Sequence, residues 1–334
     1  MLRYKMLVLT DHTRHSKENS LYGLLQNIRQ DDRCAHVDVA TRKKTENHAF
    51  FLTHSTEELL VSEVDEHFAF EANGHNFEKN NKRVRLSTYD VVWLRMPPPL
   101  SMAFLAFLEK QFPEVLFIND PQGIQETGSK AFLLNFPALC PPMKICRSIG
   151  DIVVFKNEFP IVLKPFREYG GRGIIKIDGD QVWEGDIPIS FADFIGKIES
   201  KEIEYLAVKF LKNVSQGDKR IVVVHGQVMG ASLRLPPKGS WICNVAMGGS
   251  SNDTKVNEEE QIIINQLNPI LKNLGIVMYG IDTLVAENGQ RVLSEINTTS
   301  IGGLVQIEKL NGTPVLKVAA SLIWDYIYWK KNNK

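Results

Sequence analysis

GIDTLVAENGQRVLSEINTTS, residues 280–300, is the stretch from which the rest of the chain becomes readable. Two mostly apolar runs, 277–285 and 291–297, flank Glu287-Asn288-Gly289, and Asn-Gly between such runs is a strong hairpin signal. Side chains two apart share one face of a strand, so Glu295 and Asn297 point the same way, with Asp282 on the partner strand. Two carboxylates and an amide oxygen converging on a sheet face form a hard-oxygen site suited to Mg²⁺. Their apolar neighbours imply burial, and a divalent cation would remove most of the cost of burying those charges. The competing reading is that Glu295 and Asn297 only cap the strand at the surface.

A second hairpin lies upstream, in VLKPFREYGGRGIIKID, residues 162–178. A lysine-bearing strand, Lys164, runs into a glycine-rich tip and out along another strand. Glycines let backbone N–H groups approach phosphate oxygens, and a lysine offsets phosphate charge as a point cation. The G-x4-G-K-[ST] loop is absent, so this is not a P-loop; an ordinary hairpin turn is the bland alternative. Lys219 and Arg220 open a third strand and Arg234 lies near the end of a fourth. With Lys130 and Lys164 they supply cations for a polyphosphate or an oxyanion.

Further out, 6–10, 90–95 and 115–119 read as buried strands separated by helical spacings at 21–29 and 101–111. Strands alternating with helices predict a parallel sheet packed between helices over residues 1–125. The intervening polar stretch, 41–87, gives weak strand signals such as HFAFE at 67–71. Residues 126–334 then divide into a central part, 126–205, carrying the glycine-rich hairpin, and a C-terminal part, 206–334. An amphipathic helix is expected at 258–274, and a final helix at 313–329 with Pro314 just inside it.

Composition narrows the function classes. In 334 residues, 43% are hydrophobic and 23% charged, the balance of a folded soluble chain rather than a disordered one. Lys+Arg and Asp+Glu are both 39, so the chain lacks the basic excess of a nucleic-acid module. The four cysteines, Cys34, Cys140, Cys146 and Cys243, contain no C-x2-C pair and read as reduced cytoplasmic thiols. The apolar run 315–329 is short and broken by Lys317 and Asp325, and the N-terminus reads as a strand, so neither a membrane span nor a signal peptide is expected.

Several segments together, DVVWLRMPPP (90–99), INDPQGIQETGSKAF (118–132), PIVLKPFREYGGRGIIKI (160–177), QGDKRIVVV (216–224), SLRLPPKG (232–239), NVAMGG (244–249) and residues 280–300, resemble the ATP-grasp superfamily. Within it they are most similar to the prokaryotic glutathione synthetases, in order and spacing. The resemblance implies an α/β chain: an ATP-grasp fold preceded by an N-terminal parallel α/β domain. It implies an ATP-dependent carbon–nitrogen ligase that phosphorylates a carboxylate and passes the acyl group to an amine, with ATP as co-substrate and two Mg²⁺ ions, or Mn²⁺, as cofactor. Lys130 and Lys164 correspond to the ATP-binding lysines. Gly170, Gly171 and Arg172 correspond to the loop over the phosphates, and Val208, Lys209, Phe210 and Leu211 to the hinge that receives adenine. Asp282, Glu295 and Asn297 correspond to the metal ligands. Arg234 corresponds to the arginine at the tetrahedral intermediate, with Arg220 near the phosphates. Arg95, Asn244 and Ser300 correspond to substrate contacts. Residues 167–173 and 236–253 are expected to act as lids. The implied partners are small molecules, in a chain compatible with a homo-oligomer.

The substrate end departs from the synthetase pattern. IGGLVQIEKLNG (301–312) has no arginine and is closer to the ribosomal-protein glutamate ligases; the hinge carries Lys209; and GSWIC precedes Asn244. Three functions follow: joining γ-glutamylcysteine to glycine, ligation of another amino acid, peptide or protein, or nucleotide binding without turnover.

Overall fold

Three β-sheets succeed one another along the chain, and the edges where they meet place the site. The computed structural model describes residues 2–98, 100–166, 172–185, 187–237, 241 and 250–333.

The first sheet has the order β4-β3-β2-β1-β5-β6, from β1 (Tyr4–Thr10), β2 (Cys34–Thr41), β3 (Glu58–Glu63), β4 (Asn81–Arg85), β5 (Val91–Arg95) and β6 (Leu116–Ile118). β1 is buried at six of its seven positions, because a parallel strand with helices over both faces has no solvent side. The sheet is mixed rather than wholly parallel. β2, β1, β5 and β6 run parallel, but β3 and β4 join as antiparallel edge strands. HFAFE is not a strand: Phe68 is instead buried against Tyr22 and Phe77 in an aromatic cluster.

The second sheet, order β11-β10-β9-β8-β12-β7, is built from β7 (Met143–Cys146), β8 (Ile161–Pro165), β9 (Ile175–Asp178), β10 (Gln181–Trp183), β11 (Ile189–Ser190) and β12 (Tyr205–Lys209). β8 and β9 pair antiparallel as the expected hairpin, although Gly170 and Gly171 at its tip lie outside the described residues. One face packs on a core of its own, drawn from residues between Cys146 and Ala207, while Leu206 and Val208 of β12 join a cluster that also holds Leu7, Ile221 and Ile281.

The third sheet, order β15-β14-β13-β16-β17, contains β13 (Asp218–Val224), β14 (Gln227–Leu235), β15 (Ser250–Thr254), β16 (Met278–Val285) and β17 (Arg291–Asn297). The helix Glu258–Asn273 opens on a capping box: Asn257 accepts from the Glu260 amide while the Glu260 carboxylate accepts from the Asn257 amide.

The first and third sheets share a core. Met6, Val8 and Trp93 belong to the same buried cluster as Val222, Val224 and Met278. The C-terminal helix Val315–Asn332 closes that cluster, and its Trp324 Nε1 donates to Ile28 O at 3.1 Å on the helix Ser20–Gln30. Just after β6, buried Asn119 uses both ends of its amide. It donates to Met278 O (2.6 Å) and Thr298 O (2.7 Å) and accepts from the amides of Val277 (2.7 Å) and Met278 (2.9 Å). No described helix is long and apolar enough to cross a membrane.

Candidate active site

β12 and β8 of the second sheet face β13, β16 and β17 of the third across a cleft of about 340 Å³. Its walls include Lys164, Val208, Lys209, Phe210 and Leu211 on one side and Asp218, Arg220, Arg234, Asp282, Glu295 and Asn297 on the other. The strand register explains the second wall. Asp282 pairs with Glu295, and Gly280 with Asn297, so the three oxygen-bearing side chains emerge on one face. A bulge between Asp282 and Thr283 places Ser294 as an extra residue beside them.

The cleft face holds a ring of charge. Arg220 sits opposite Asp282 in the β13–β16 pair and binds both carboxylate oxygens, Nη2 to Oδ2 at 2.9 Å. Arg234 sits opposite Asp218 in the β13–β14 pair, with Nε to Oδ1 at 2.6 Å and Nη2 to Oδ2 at 2.7 Å. Arg234 Nη2 also lies 3.0 Å from Asp282 Oδ2. Burial alone would raise the Asp282 pKa, but the two guanidiniums overcome it and hold the carboxyl well below its usual range. Asp218 goes the other way: burial and the Asp282 charge push it up to about 6, against the opposing pull of Arg234.

From the hairpin side, Lys164 Nζ reaches Ser294 Oγ (3.4 Å) and Ser294 O (3.5 Å), so its ammonium crosses to the metal-candidate strand. Lys130 opens a short 3-10 helix, Lys130–Asn135, and approaches from behind in an adjoining crevice, its Nζ 3.9 Å from Glu295 Oε1. In the hinge, the amides of Lys209 and Phe210 donate to Pro142 O (2.9 Å) and Pro160 O (2.7 Å). The Lys209 ammonium turns to Glu287 at 3.2 Å. The Phe210 ring meets Trp241 edge-on, 6.0 Å between centroids.

The donor set fits a hard divalent cation. Asp282 and Glu295 supply carboxylates, and the Asn297 Nδ2 is buried with no hydrogen-bond partner. Among the described residues no partner holds that end of the amide, and turning its oxygen toward the cleft completes a three-oxygen set.

Not all the expected residues meet here. Arg95 does not line the cleft; it is 2% exposed, stacks 5.3 Å over Trp93, and donates Nη2 to Ile301 O at 2.9 Å. Burial lowers its pKa to about 10, and its Nε has no partner. Ser300, at φ 43°, lies in the turn after β17 and is not among the described wall residues. Arg172 is exposed in the loop that joins β8 to β9. Asn244 and most of 236–253 lie outside the described residues. Conversely, Asp218, Ser294 and Trp241 join the cleft without having been singled out from sequence. Asp218 had a signal, the i, i+2 spacing to Arg220 in GDKR.

Solved structures share this architecture across nearly the whole chain. D-cycloserine synthetase superposes with a TM-score of 0.65 at 12% identity, covering 97% of this chain and 99% of that one. The D-alanine–D-alanine ligase of Bacillus anthracis, complexed with ATP, gives 0.61 at 13% identity, covering 99% and 100%. These likenesses give the fold, and a family model gives the class, an ATP-grasp protein. The family model described as the prokaryotic glutathione synthetase ATP-grasp domain matches residues 129–312, and that of the family's N-terminal domain matches 27–125. The chain belongs to the prokaryotic glutathione synthetase family, and is an ATP-dependent carbon–nitrogen ligase that uses ATP and Mg²⁺. It is 33% identical over 254 residues to glutathione synthetase of Bradyrhizobium diazoefficiens (75% of this chain, 76% of that one). To the enzyme of Agrobacterium fabrum it is 32% identical over 255 residues, 75% of each chain.

Proposed function

We propose that the chain joins γ-glutamylcysteine to glycine, using ATP to convert the peptide carboxylate into an acyl phosphate that the glycine amine attacks. The observation that carries this reading is the cleft itself. A hairpin lysine faces a strand pair bearing Asp282, Glu295 and Asn297, with two arginines between them. A divalent cation held by those three residues supplies charge neutralisation at the phosphates; two Mg²⁺ ions are proposed, with Mn²⁺ as substitute. Val208 to Leu211 border adenine. Because the Lys209 and Phe210 amides are already used, the donor to the base falls to Leu211. Lys164 and Lys130 lie where they can offset phosphate charge. Arg220 faces the transferring phosphoryl group and Arg234 the tetrahedral oxyanion, donors set in advance where charge develops. Gly170, Gly171 and Arg172 are assigned to the loop that closes over the phosphates, and Asn244 and Ser300 to the substrate end, where buried Arg95 holds the turn through Ile301 O rather than lining the cleft.

A second reading, ligation of a different amino acid or a peptide, is favoured by one observation: IGGLVQIEKLNG brings no arginine to the turn after β17, and Arg95 is bound to Ile301 O there. The test is ADP formation with γ-glutamylcysteine and glycine, with the product identified by mass. ADP and glutathione together support the first reading. ADP formed only with another amine or carboxylate replaces it with the second.

A further inference from the structure

The two arginines of the cleft are held differently, and the difference assigns a task to a residue without one so far. Arg220 directs both its Nε and Nη2 to Asp282, its carboxylate partner among the described residues. Arg234 directs its Nε and Nη2 to Asp218, and only shares Nη2 with Asp282. Asp282 is also one of the three metal candidates, and the guanidiniums already take three of the roughly four lone-pair sites of its oxygens, so a cation that binds there through both oxygens displaces a guanidinium.

We propose that Asp218 is a positioning residue: it keeps Arg234 fixed at the cleft wall when a divalent cation takes Asp282, so that Arg220 alone is released toward the phosphates. This rests on the metal assignment made above. The physical reasons are three. A bidentate guanidinium–carboxylate pair fixes both position and plane, so Arg234 needs nothing from Asp282 to stay where it is. The Arg220 stem is confined instead by bare backbone: a Cβ on Gly280 would come within 3.3 Å of its Cδ, and one on Gly303 within 3.5 Å of its Cγ. That slot holds the stem while leaving the head group dependent on Asp282. Finally, with Asp218 removed, Arg234 would be left with Asp282 alone, and would compete with the cation for it.

The experiment uses the full chain, with Mn²⁺ and ADP as the probe. Mn²⁺ bound in the presence of ADP is titrated by electron paramagnetic resonance for wild type, Asp218→Asn and Asp218→Glu. Losing one charged hydrogen-bonding partner should weaken Mn²⁺ binding by roughly ten-fold in Asp218→Asn. Steady-state kinetics should show kcat falling with the KM for ATP nearly unchanged, and Asp218→Glu should restore both. A merely structural role would lower thermal stability without moving metal affinity. Should Asp218→Asn fail to fold, wild type decides. On adding Mg²⁺ and ADP, the Nε–H NMR signal of Arg220 should shift and that of Arg234 should stay; the reverse overturns the proposal. Wild-type metal affinity in Asp218→Asn overturns it as well. No Mn²⁺ binding by wild type would instead overturn the metal assignment beneath it.

Discussion

β13 carries the same chemistry on both faces and uses it in opposite ways. Asp218 and Arg220 point into the cleft, while Lys219, between them, points into the interior, since neighbours on a strand alternate. Behind the strand, Lys219 Nζ donates to Glu260 Oε2 at 2.7 Å and Thr283 Oγ1 donates to Glu260 Oε1 at 2.7 Å. Lys219 is 5% exposed, and Glu260 and Thr283 are 0%. Lys219 also donates to Lys255 O (2.8 Å), and Arg291 Nε lies 3.7 Å from Glu260 Oε1, so these charges are enclosed by partners with no space beside them. In front, four charges share partners across an open cleft, and one carboxylate is claimed by two guanidiniums. A sealed pair serves the fold; a contested pair beside a cavity can exchange one partner for another.

This contrast can be broken from either side. The largest effect should come from the cleft face. Glu295→Gln removes a proposed metal ligand, and turnover should fall by about 10³-fold, a loss of several kcal/mol of transition-state stabilisation, with the denaturation midpoint little changed. Single-turnover ADP formation and a urea titration on the same sample check both halves. On the sealed face the signature should invert. Glu260→Gln strands the Lys219 ammonium and should cost about 3–5 kcal/mol of stability in urea titration. The double variant Lys219→Met/Glu260→Gln removes both charges while keeping an acceptor for the Asn257 amide and the Thr283 hydroxyl, and should regain most of that loss, a recovery with no counterpart at Glu295. A smaller effect is expected from Lys164→Ala, which takes one shared cation from the cleft: affinity for a non-hydrolysable ATP analogue should drop by about ten-fold in calorimetry, about 1.4 kcal/mol.

The smallest effect concerns a third way of housing a titratable group, buried with the Asp11 charge nearby but without an ion-pair partner among the described residues. Burial, with His12 and Arg95 nearby, lowers the His15 pKa from 6.5 to about 4. Its neutral form is the one that the fold favours, so its contribution to stability is present above 6.5 and is lost as pH falls toward 4. Urea midpoints measured from pH 7 down to 4 should decline, and His15→Gln should flatten part of that slope. An unchanged slope would show that His15 does not charge within that window.

Local pattern carried much of this from sequence, and register carried the rest. Residues 280–300 could be read because strand alternation and an Asn-Gly turn are local signals, and β16 and β17 pair as that reading requires. The hairpin strands around the glycine-rich tip were legible for the same reason. The partners of Arg220 and Arg234 were not, because they depend on which residue of β13 stands opposite which residue of β14 and β16. β4 escaped because an edge strand with charged, exposed side chains has no apolar alternation to detect. Arg95 was expected at an open strand end, where open parallel sheets place ligand contacts. The turn after β17 instead folds over it, a consequence of tertiary contact between residues 206 positions apart.

Asn119 ties the end of β6 to β16 and to the residue after β17 with four hydrogen bonds, and the apolar cluster around it mixes side chains of the first and third sheets. A gene split near residue 125 would therefore yield two fragments that each expose half of one interior. Neither should be a good candidate for separate production, whereas co-expression offers each its missing half. The second sheet, with a core of its own on one face and only β12 and its neighbours reaching the shared cluster, is the segment that could be exchanged between relatives as a cassette. Where the chain is cut into modules for recombination, the natural joints flank the middle third rather than its first.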